Sequence, residues 1–413
     1  MRIVSGKKAE KIVQKLAARS MQFGGLERAV RRIVNDVRRN GDRALRRYAE
    51  KWDGVQKKQS LKVTEAELGE ALRSLQSQMI QALQQSAANI RQFCEWQKPS
   101  SWTRNQNGIS LGQIVEPIGS VGCYAPGGRY PLVSTVLMTV IPAQVAGVNN
   151  MRIVSPNPSQ EVLGAAAMLG VQEFYRIGGA HAIAALAYGT ESIPRVDKIV
   201  GPGNSYVTLS KKLVAFDCAI DLLAGPTEAV IVSESGNPQF IAADLVAQAE
   251  HDVDAMSVFI TTSDKLADAV ASSANHQAAN NPTAQKSLRR SGVILVATSR
   301  EKARLWANEI APEHITVAED DLSFVQNAGS IFVGDYSAQA AGDYASGPNH
   351  VLPTMGQARF RGGLSVYDFV KIMTVQKLSA DGLGRIAPTI ECLARAEGLA
   401  AHENSVKVRY ARA

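Results

Sequence analysis

At 413 residues, with 45% apolar and 20% charged side chains, the chain is too long for one small core and too apolar for disorder, so several packed domains are expected. A net charge of +7 and a pI near 9.2 suit either a nucleic-acid surface or an anionic small molecule such as a dinucleotide pyrophosphate. The four cysteines, Cys94, Cys123, Cys218 and Cys392, stand singly with no CxxC pair, which points to a reducing compartment and away from a thiolate metal site.

The opening residues MRIVSGKKAEKIVQKL have no apolar signal core, and no stretch runs eighteen residues without polar interruption, so neither a signal peptide nor a membrane span is expected and the cytoplasm is the expected location. Apolar positions at helical spacing from Leu26 to Trp52 and from Glu65 to Phe93, broken only by Asn40-Gly41, predict a helical first quarter. The arginines of its first helix are interleaved with Glu27, Asp36, Asp42 and Glu50, the pattern of a solvated face rather than a nucleic-acid patch.

From Ile109 the pattern turns to short apolar runs separated by alanine-rich helical segments: IVEPIGSVGCYAP, MRIVSP, EFYRIGGA, DKIVGPG and AVIVSE. After the Gly225-Pro226 turn a second series follows, MSVFITT, SGVILVAT, HITVA and SIFVGD. This alternation predicts βαβ units and two α/β sheets with parallel strands. The pentapeptide MRIVS occurs at Met1 and at Met151, but the residues that follow do not continue the match, and the repeat is read as coincidence. The last forty residues predict a helical stretch, Gly384 to Glu397, and a charged tail with no sheet partner.

Few residues are equipped for chemistry. Gln248 and His251 lie three apart at the end of a predicted helix, on one face, and offer an amide oxygen and an imidazole to one ion. In EIAPEHITV a carboxylate and an imidazole, Glu313 and His314, stand where a proline stops a helix and a strand begins, a pairing suited to proton transfer. Asp343 and His350 share the glycine- and proline-rich segment GDYASGPNHVLPT, and hard ligand plus imidazole fits zinc. For a nucleotide, CYAPGGRYP and KIVGPGNSYVT let backbone N–H groups approach phosphate, although neither is GxGxxG and no Walker motif exists. The residues alone therefore leave a capping Glu beside a half-buried His, a zinc hydrolase and a dinucleotide enzyme all open.

At these same residues the sequence resembles the histidinol dehydrogenase family, matching CYAPGG, STVLM, AIAALAYGTESIPRVDKIVGPGN, LAGPTE, QAEH, APEH, GDYASGPNH and EGLAAH in order from about residue 20 to the end. The resemblance implies oxidation of L-histidinol through L-histidinal to L-histidine in one site, with two NAD consumed in turn. It implies one Zn2+ per subunit, held by Gln248, His251, Asp343 and His402, the last delivered across a domain-swapped homodimer. It makes His314 the general base and Glu313 the group that helps activate water, with Thr227, His350 and Glu397 holding the rest of the substrate. Tyr124, His181 and Asn204 match the NAD contacts, with His181 standing where many members carry glutamine. The implied architecture is α/β, two incomplete Rossmann-like domains with parallel sheets. Its implied boundaries are an N-terminal segment 1–20, an α/β domain from 21–122 and 228–365 carrying most zinc and catalytic residues, an NAD domain 123–227, and a C-terminal helical segment 366–413 reaching the partner. A relative oxidising another small alcohol, such as a sulfonated diol, is the alternative. Two departures, Thr227 where serine is frequent and Pro348 where threonine is frequent, remove no catalytic group. No membrane or nucleic-acid partner is expected, and His276 reads as an exposed helix position.

Overall fold

The computed structural model describes residues 1–127 and 132–410. Two parallel sheets organise them. The first has five strands in the order Glu173–Tyr175, Asn150–Val154, Ser120–Tyr124, Lys198–Val200, Ala219–Ile220. Numbered along the chain this is 3-2-1-4-5, the doubly wound order without its sixth strand. The second has six, Arg2–Ser5, Val293–Val296, Met256–Thr261, Glu228–Val232, His314–Val317, Ser330–Val333. Without Arg2–Ser5 its order is again 3-2-1-4-5. The continuous apolar runs explain why these strands sit in the middle of a layered domain: every residue of Met256–Thr261 and Val293–Val296 is buried, as parallel strands covered on both faces require.

The MRIVS repeat does not mark this shared wiring. Its first copy forms the added edge strand, paired Arg2 to Val293, and its second forms strand two of the other sheet. The expected βαβ series and the two α/β units are present.

The partition into units differs from the one the resemblance implied. Residues 21–122 do not join 228–365: the helix Leu26–Trp52 sets Val30, Ile33, Val34 and Val37 against Ile183 and Leu186, and Glu65–Ser74 and Ser77–Gln97 set Leu68, Leu83 and Ile90 into the core around Val121, Val136 and Phe174. These amphipathic helices pack on the helices that flank the five-stranded sheet, Gly179–Tyr188, Gln160–Met168 and Val133–Ala146, and backbone bonds from Val63 to Phe174 and from Arg176 to Leu61 stitch the connecting segment to its edge. Nor is 1–20 a separate segment. Its strand extends the six-stranded sheet, and Ala9 and Val13 of the helix Gly6–Ala17 pack with Trp306 and Ala307. Burial of apolar faces decides both assignments, at roughly 25 cal/mol for each Å2 removed from water.

A third sheet was not anticipated. Val370–Leu378, Ile109–Pro117 and Trp102–Gln106 pair antiparallel into a three-stranded arm. Beyond it the helices Ala380–Ala396 and Ala400–Tyr410 pack mainly on each other, burying Ala387, Ala394 and Val406, and the tail HENSVKVRY is helical rather than frayed.

The arginine-rich helix behaves as expected. Arg31 pairs with Glu27 and Arg47 with Asp36 on its exposed face. No helix among the described residues is long and apolar enough to cross a membrane. His276 is an exposed position on the helix Asp264–Gln277.

Candidate active site

Two cavities bring the sequence's candidate residues together, the smaller between the two sheet units and the larger within the five-stranded one. The smaller, about 140 Å3, is lined by Thr227, Gln248, His251, Glu313, His314, Asp343 and His350, together with Thr135 and Pro202 from the five-stranded unit. Seven residues separated by more than a hundred positions in the chain thus meet in one place. They are brought there by the N-terminal ends of the central strands Glu228–Val232 and His314–Val317 and by the last turn of the helix Pro238–His251.

Glu313 and His314 are both buried, and their surroundings give them different tasks. His314 Nδ1 lies 3.2 Å from the Glu228 carbonyl oxygen. A carbonyl can only accept, so Nδ1 carries the proton and Nε2, 3.9 Å from Asp343 Oδ1, carries the lone pair on the cavity side. Burial lowers the imidazole below its usual range, which keeps it neutral and able to accept a proton near pH 7. Glu313 Oε2 accepts from Thr227 Oγ1 at 2.6 Å and from the Glu228 N–H at 2.8 Å. Burial outweighs these donors and pushes the carboxyl up to about 8. Glu228 itself is held by a buried ion pair with Arg19, so the backbone that orients His314 is anchored from the far side of the sheet.

Thr227 is more than a lining residue. Its hydroxyl accepts an N–H from Gln248 Nε2 while donating to Glu313, linking the amide to the carboxyl in one chain. Gln248 is thereby oriented with its amide oxygen free of that bond. His251 Nδ1 is satisfied by the Ala247 carbonyl at 3.1 Å, which leaves Nε2 as a ligand nitrogen. Asp343 sits at the end of the short helix Gln339–Tyr344, not in a loop, and its carbonyl takes His350 Nδ1–H at 2.8 Å. His350 Nε2 is 3.4 Å from Thr135 Oγ1, a contact no sequence pattern indicated.

An amide oxygen and an imidazole nitrogen from one helix and a carboxylate from another make a donor set that fits zinc with one position to fill. Among the described residues no group of three or more His, Cys, Asp or Glu side chains converges to hold a metal. That agrees with the set in hand, which contains only two such side chains plus Gln248. Glu397 and His402 do not reach this cavity. Both are exposed on the C-terminal helices.

The larger cavity, about 500 Å3, opens at the C-terminal edge of the five-stranded sheet, beside the gap between strands Ser120–Tyr124 and Lys198–Val200 where the order reverses. Tyr124, His181 and Asn204 all line it. Tyr124 is buried under the helix Gly179–Tyr188, taking the Gly179 N–H at 3.0 Å, and burial pushes its phenol up to about 12. Asn204 caps the helix Ser205–Val214 through Oδ1, which accepts from Tyr206 and Val207 N–H. The start of each helix faces the cavity, so two helix dipoles favour an anion there, although the Gly179, Tyr206 and Val207 N–H groups already have acceptors in the protein. Residues 128–131 of the expected phosphate loop CYAPGGRYP fall outside the described residues. The sequence reading missed Trp52 and Asp53, which also line this cavity, because nothing at the end of a surface helix marks them as pocket residues.

The fold and the cavities together define a two-unit α/β protein with a doubly wound nucleotide-type crevice on one sheet and an acid–base and ligand cluster on the edge of the other. Comparison with known proteins makes this specific. The family model described as histidinol dehydrogenase matches residues 16–410. The histidinol dehydrogenase of Geobacillus kaustophilus is 48% identical over 397 residues, covering 92% of this chain and 93% of that protein. That of Aquifex aeolicus is 44% identical over 392 residues, covering 93% and 92%. The crystal structure of histidinol dehydrogenase from Elizabethkingia anophelis superposes with a TM-score of 0.94 at 36% identity, covering 99% of this chain and 98% of that one. The chain belongs to the histidinol dehydrogenase family.

Proposed function

We propose that this chain is a histidinol dehydrogenase that oxidises L-histidinol through L-histidinal to L-histidine with two NAD, using one zinc ion per subunit, in a cytoplasmic domain-swapped homodimer. The observation that carries the reading is the buried His314 with its lone pair on Nε2, beside the raised carboxyl of Glu313.

In the first step His314 Nε2 takes the hydroxyl proton of the alcohol as hydride leaves the carbinol carbon for the dinucleotide. In the second, ionised Glu313 accepts a proton from water attacking the aldehyde, the hydride of the resulting hydrate passes to the second NAD, and a carboxyl raised to about 8 is, once ionised, a stronger base than an ordinary carboxylate. Thr227 keeps Glu313 and Gln248 in fixed relation, and His350 lines the end of the cavity nearest Thr135. Zinc, held by Gln248, His251, Asp343 and a fourth ligand, supplies orientation of the substrate's amino and imidazole nitrogens. Tyr124, His181 and Asn204 hold NAD.

His402 is the fourth ligand and Glu397 a substrate contact, each delivered by the C-terminal helices of a second copy. What supports this is that both residues are exposed and remote from their own cavity, on helices packed mainly on each other. Ile114, Ile372, Met373, Leu393 and Val408 leave an apolar surface on the same arm.

The test is absorbance at the reduced-nicotinamide band with zinc-loaded protein, NAD and histidinol. Two reduced cofactors per substrate with histidine as product support the reading. An intact fold with bound zinc and no signal turns it toward another small alcohol, such as a sulfonated diol. Substrate cleavage without NAD would indicate a zinc hydrolase.

A further inference from the structure

In the larger cavity one of the three expected cofactor contacts, His181, is paired with a residue outside that set, Asp53. His181 is 1% exposed, and its Nε2 lies 2.6 Å from Asp53 Oδ2, which also accepts the Gly178 N–H at 3.1 Å. With the carboxylate accepting, Nε2 carries the proton and Nδ1 the lone pair. Nδ1 is buried without a partner, the one such side-chain atom among the described residues lining this cavity. Tyr48 and Trp52 flank the ring with centroids 5.8 Å away, so it is held by packing as well as by Asp53. An unpaired buried acceptor costs about 1–3 kcal/mol, and its retention points to a ligand donor.

In a doubly wound sheet of this order an acidic side chain at the end of the second strand meets the adenosine ribose. Here that strand, Asn150–Val154, runs into Ser155, Pro156 and Asn157 and supplies none. Asp53, at the C-terminal cap of the helix Leu26–Trp52, brings a carboxylate into the same cavity from another element. No lysine or arginine is among the described residues lining it.

We propose that Asp53 and His181 together form the ribose-selecting end of this cavity and make the enzyme specific for NAD over its 2′-phosphorylated form. The proposal rests on the reading of this cavity as the NAD site. A ribose hydroxyl donates to an acceptor, whereas a 2′-phosphate offers no comparable donor and sets negative charge near a buried carboxylate, with no lysine or arginine among the described lining residues. Asp53 has a second role as a positioning residue, because its bond to Nε2 fixes which nitrogen of His181 accepts.

The test uses the full-length, zinc-loaded protein with histidinol, measuring kcat/KM for NAD and NADP. Dinucleotide binding is followed in parallel by fluorescence quenching, taken as the difference between the wild type and Trp52→Phe. The wild type is expected to favour NAD by about 100-fold, and Asp53→Asn to narrow that ratio by about 10-fold, chiefly by lowering the KM for NADP. His181→Gln, which adds an N–H donor, is expected to narrow the ratio in the same direction, and it serves if Asp53→Asn fails to fold. Equal loss with both cofactors, leaving the ratio unchanged while NAD still quenches Trp52, would mean a structural role only and overturn the proposal. NAD-dependent turnover without quenching of Trp52 would instead remove the dinucleotide from this cavity and overturn the reading beneath it.

Discussion

At the scale of single residues, burial separates two neighbouring proton carriers. The lowered His314 imidazole is neutral across the neutral range, so alcohol oxidation should be flat from about pH 7 to 9 with respect to this group. Glu313 works as a base only when ionised. With its carboxyl at about 8, oxidation of supplied L-histidinal should climb as pH rises from 7 to 9, and Glu313→Gln should remove the climb. Stability runs the other way. A carboxyl raised from the usual 4.5 binds its proton more tightly in the folded chain, so its contribution is complete below about 4.5 and is lost as pH rises through about 8. Stability from denaturant melts should therefore fall more steeply with pH in the wild type than in Glu313→Gln between about 4.5 and 8, with the two running parallel on either side of that window. His314→Asn should cut kcat by about 100- to 10,000-fold with zinc content unchanged, and retained turnover would remove His314 from the base role. Glu313 and His314 stand out in the sequence as an adjacent acid and base where a proline ends a helix and a strand begins. Their differing proton affinities were not legible there, because desolvation is a property of the neighbours.

At the scale of elements, the Asn40-Gly41 pair illustrates how much local sequence conveys. It signals a break, and Gly41 sits at φ 48 and ψ −134 inside an otherwise helical run. The second half-helix then starts against Glu191, whose carboxylate accepts the Asp42 N–H at 2.7 Å and would lie 2.5 Å from a Cβ on Gly41. Gly41→Ala is expected to cost about 1–3 kcal/mol of stability in chemical denaturation, from strained backbone and the displaced cap together. The partner of that break, 150 residues away, is invisible locally. The same limit hid Asp53, which looks like the polar end of a surface helix until packing turns it under Gly178. A further element-level consequence concerns the loop that carries Asn204. Lys211 and Asp221 form a buried ion pair, with Lys211 Nζ also on the Gly201 carbonyl and Asp221 taking the Gly201 N–H. Lys211→Met leaves an uncompensated buried carboxylate and should destabilise the protein by about 3–5 kcal/mol, with NAD affinity falling as the Gly201–Asn204 turn loosens.

At the scale of the molecule, each active site is a shared object if the C-terminal helices cross to a second copy. Mixing subunits decides this. His251→Ala and His402→Ala should each be inactive alone. Unfolded and refolded together, they should recover about one quarter of wild-type activity, since half the dimers are mixed and each mixed dimer has one complete site. No recovery would return His402 to its own chain. The family, the βαβ rhythm and most of the candidate residues that meet in the two cavities were determined by the sequence itself, because periodicity, turn chemistry and motif identity are local and survive without coordinates. Tertiary structure alone decided that the first helices pack with the nucleotide-type unit, that the first strand closes the edge of the other sheet, that Thr227 links Gln248 to Glu313, and that Asp53 backs His181. Those are choices among faces and partners distant in the chain. They are settled by which apolar surfaces can be buried together and which buried polar groups can be paired, and neither is written in any one segment.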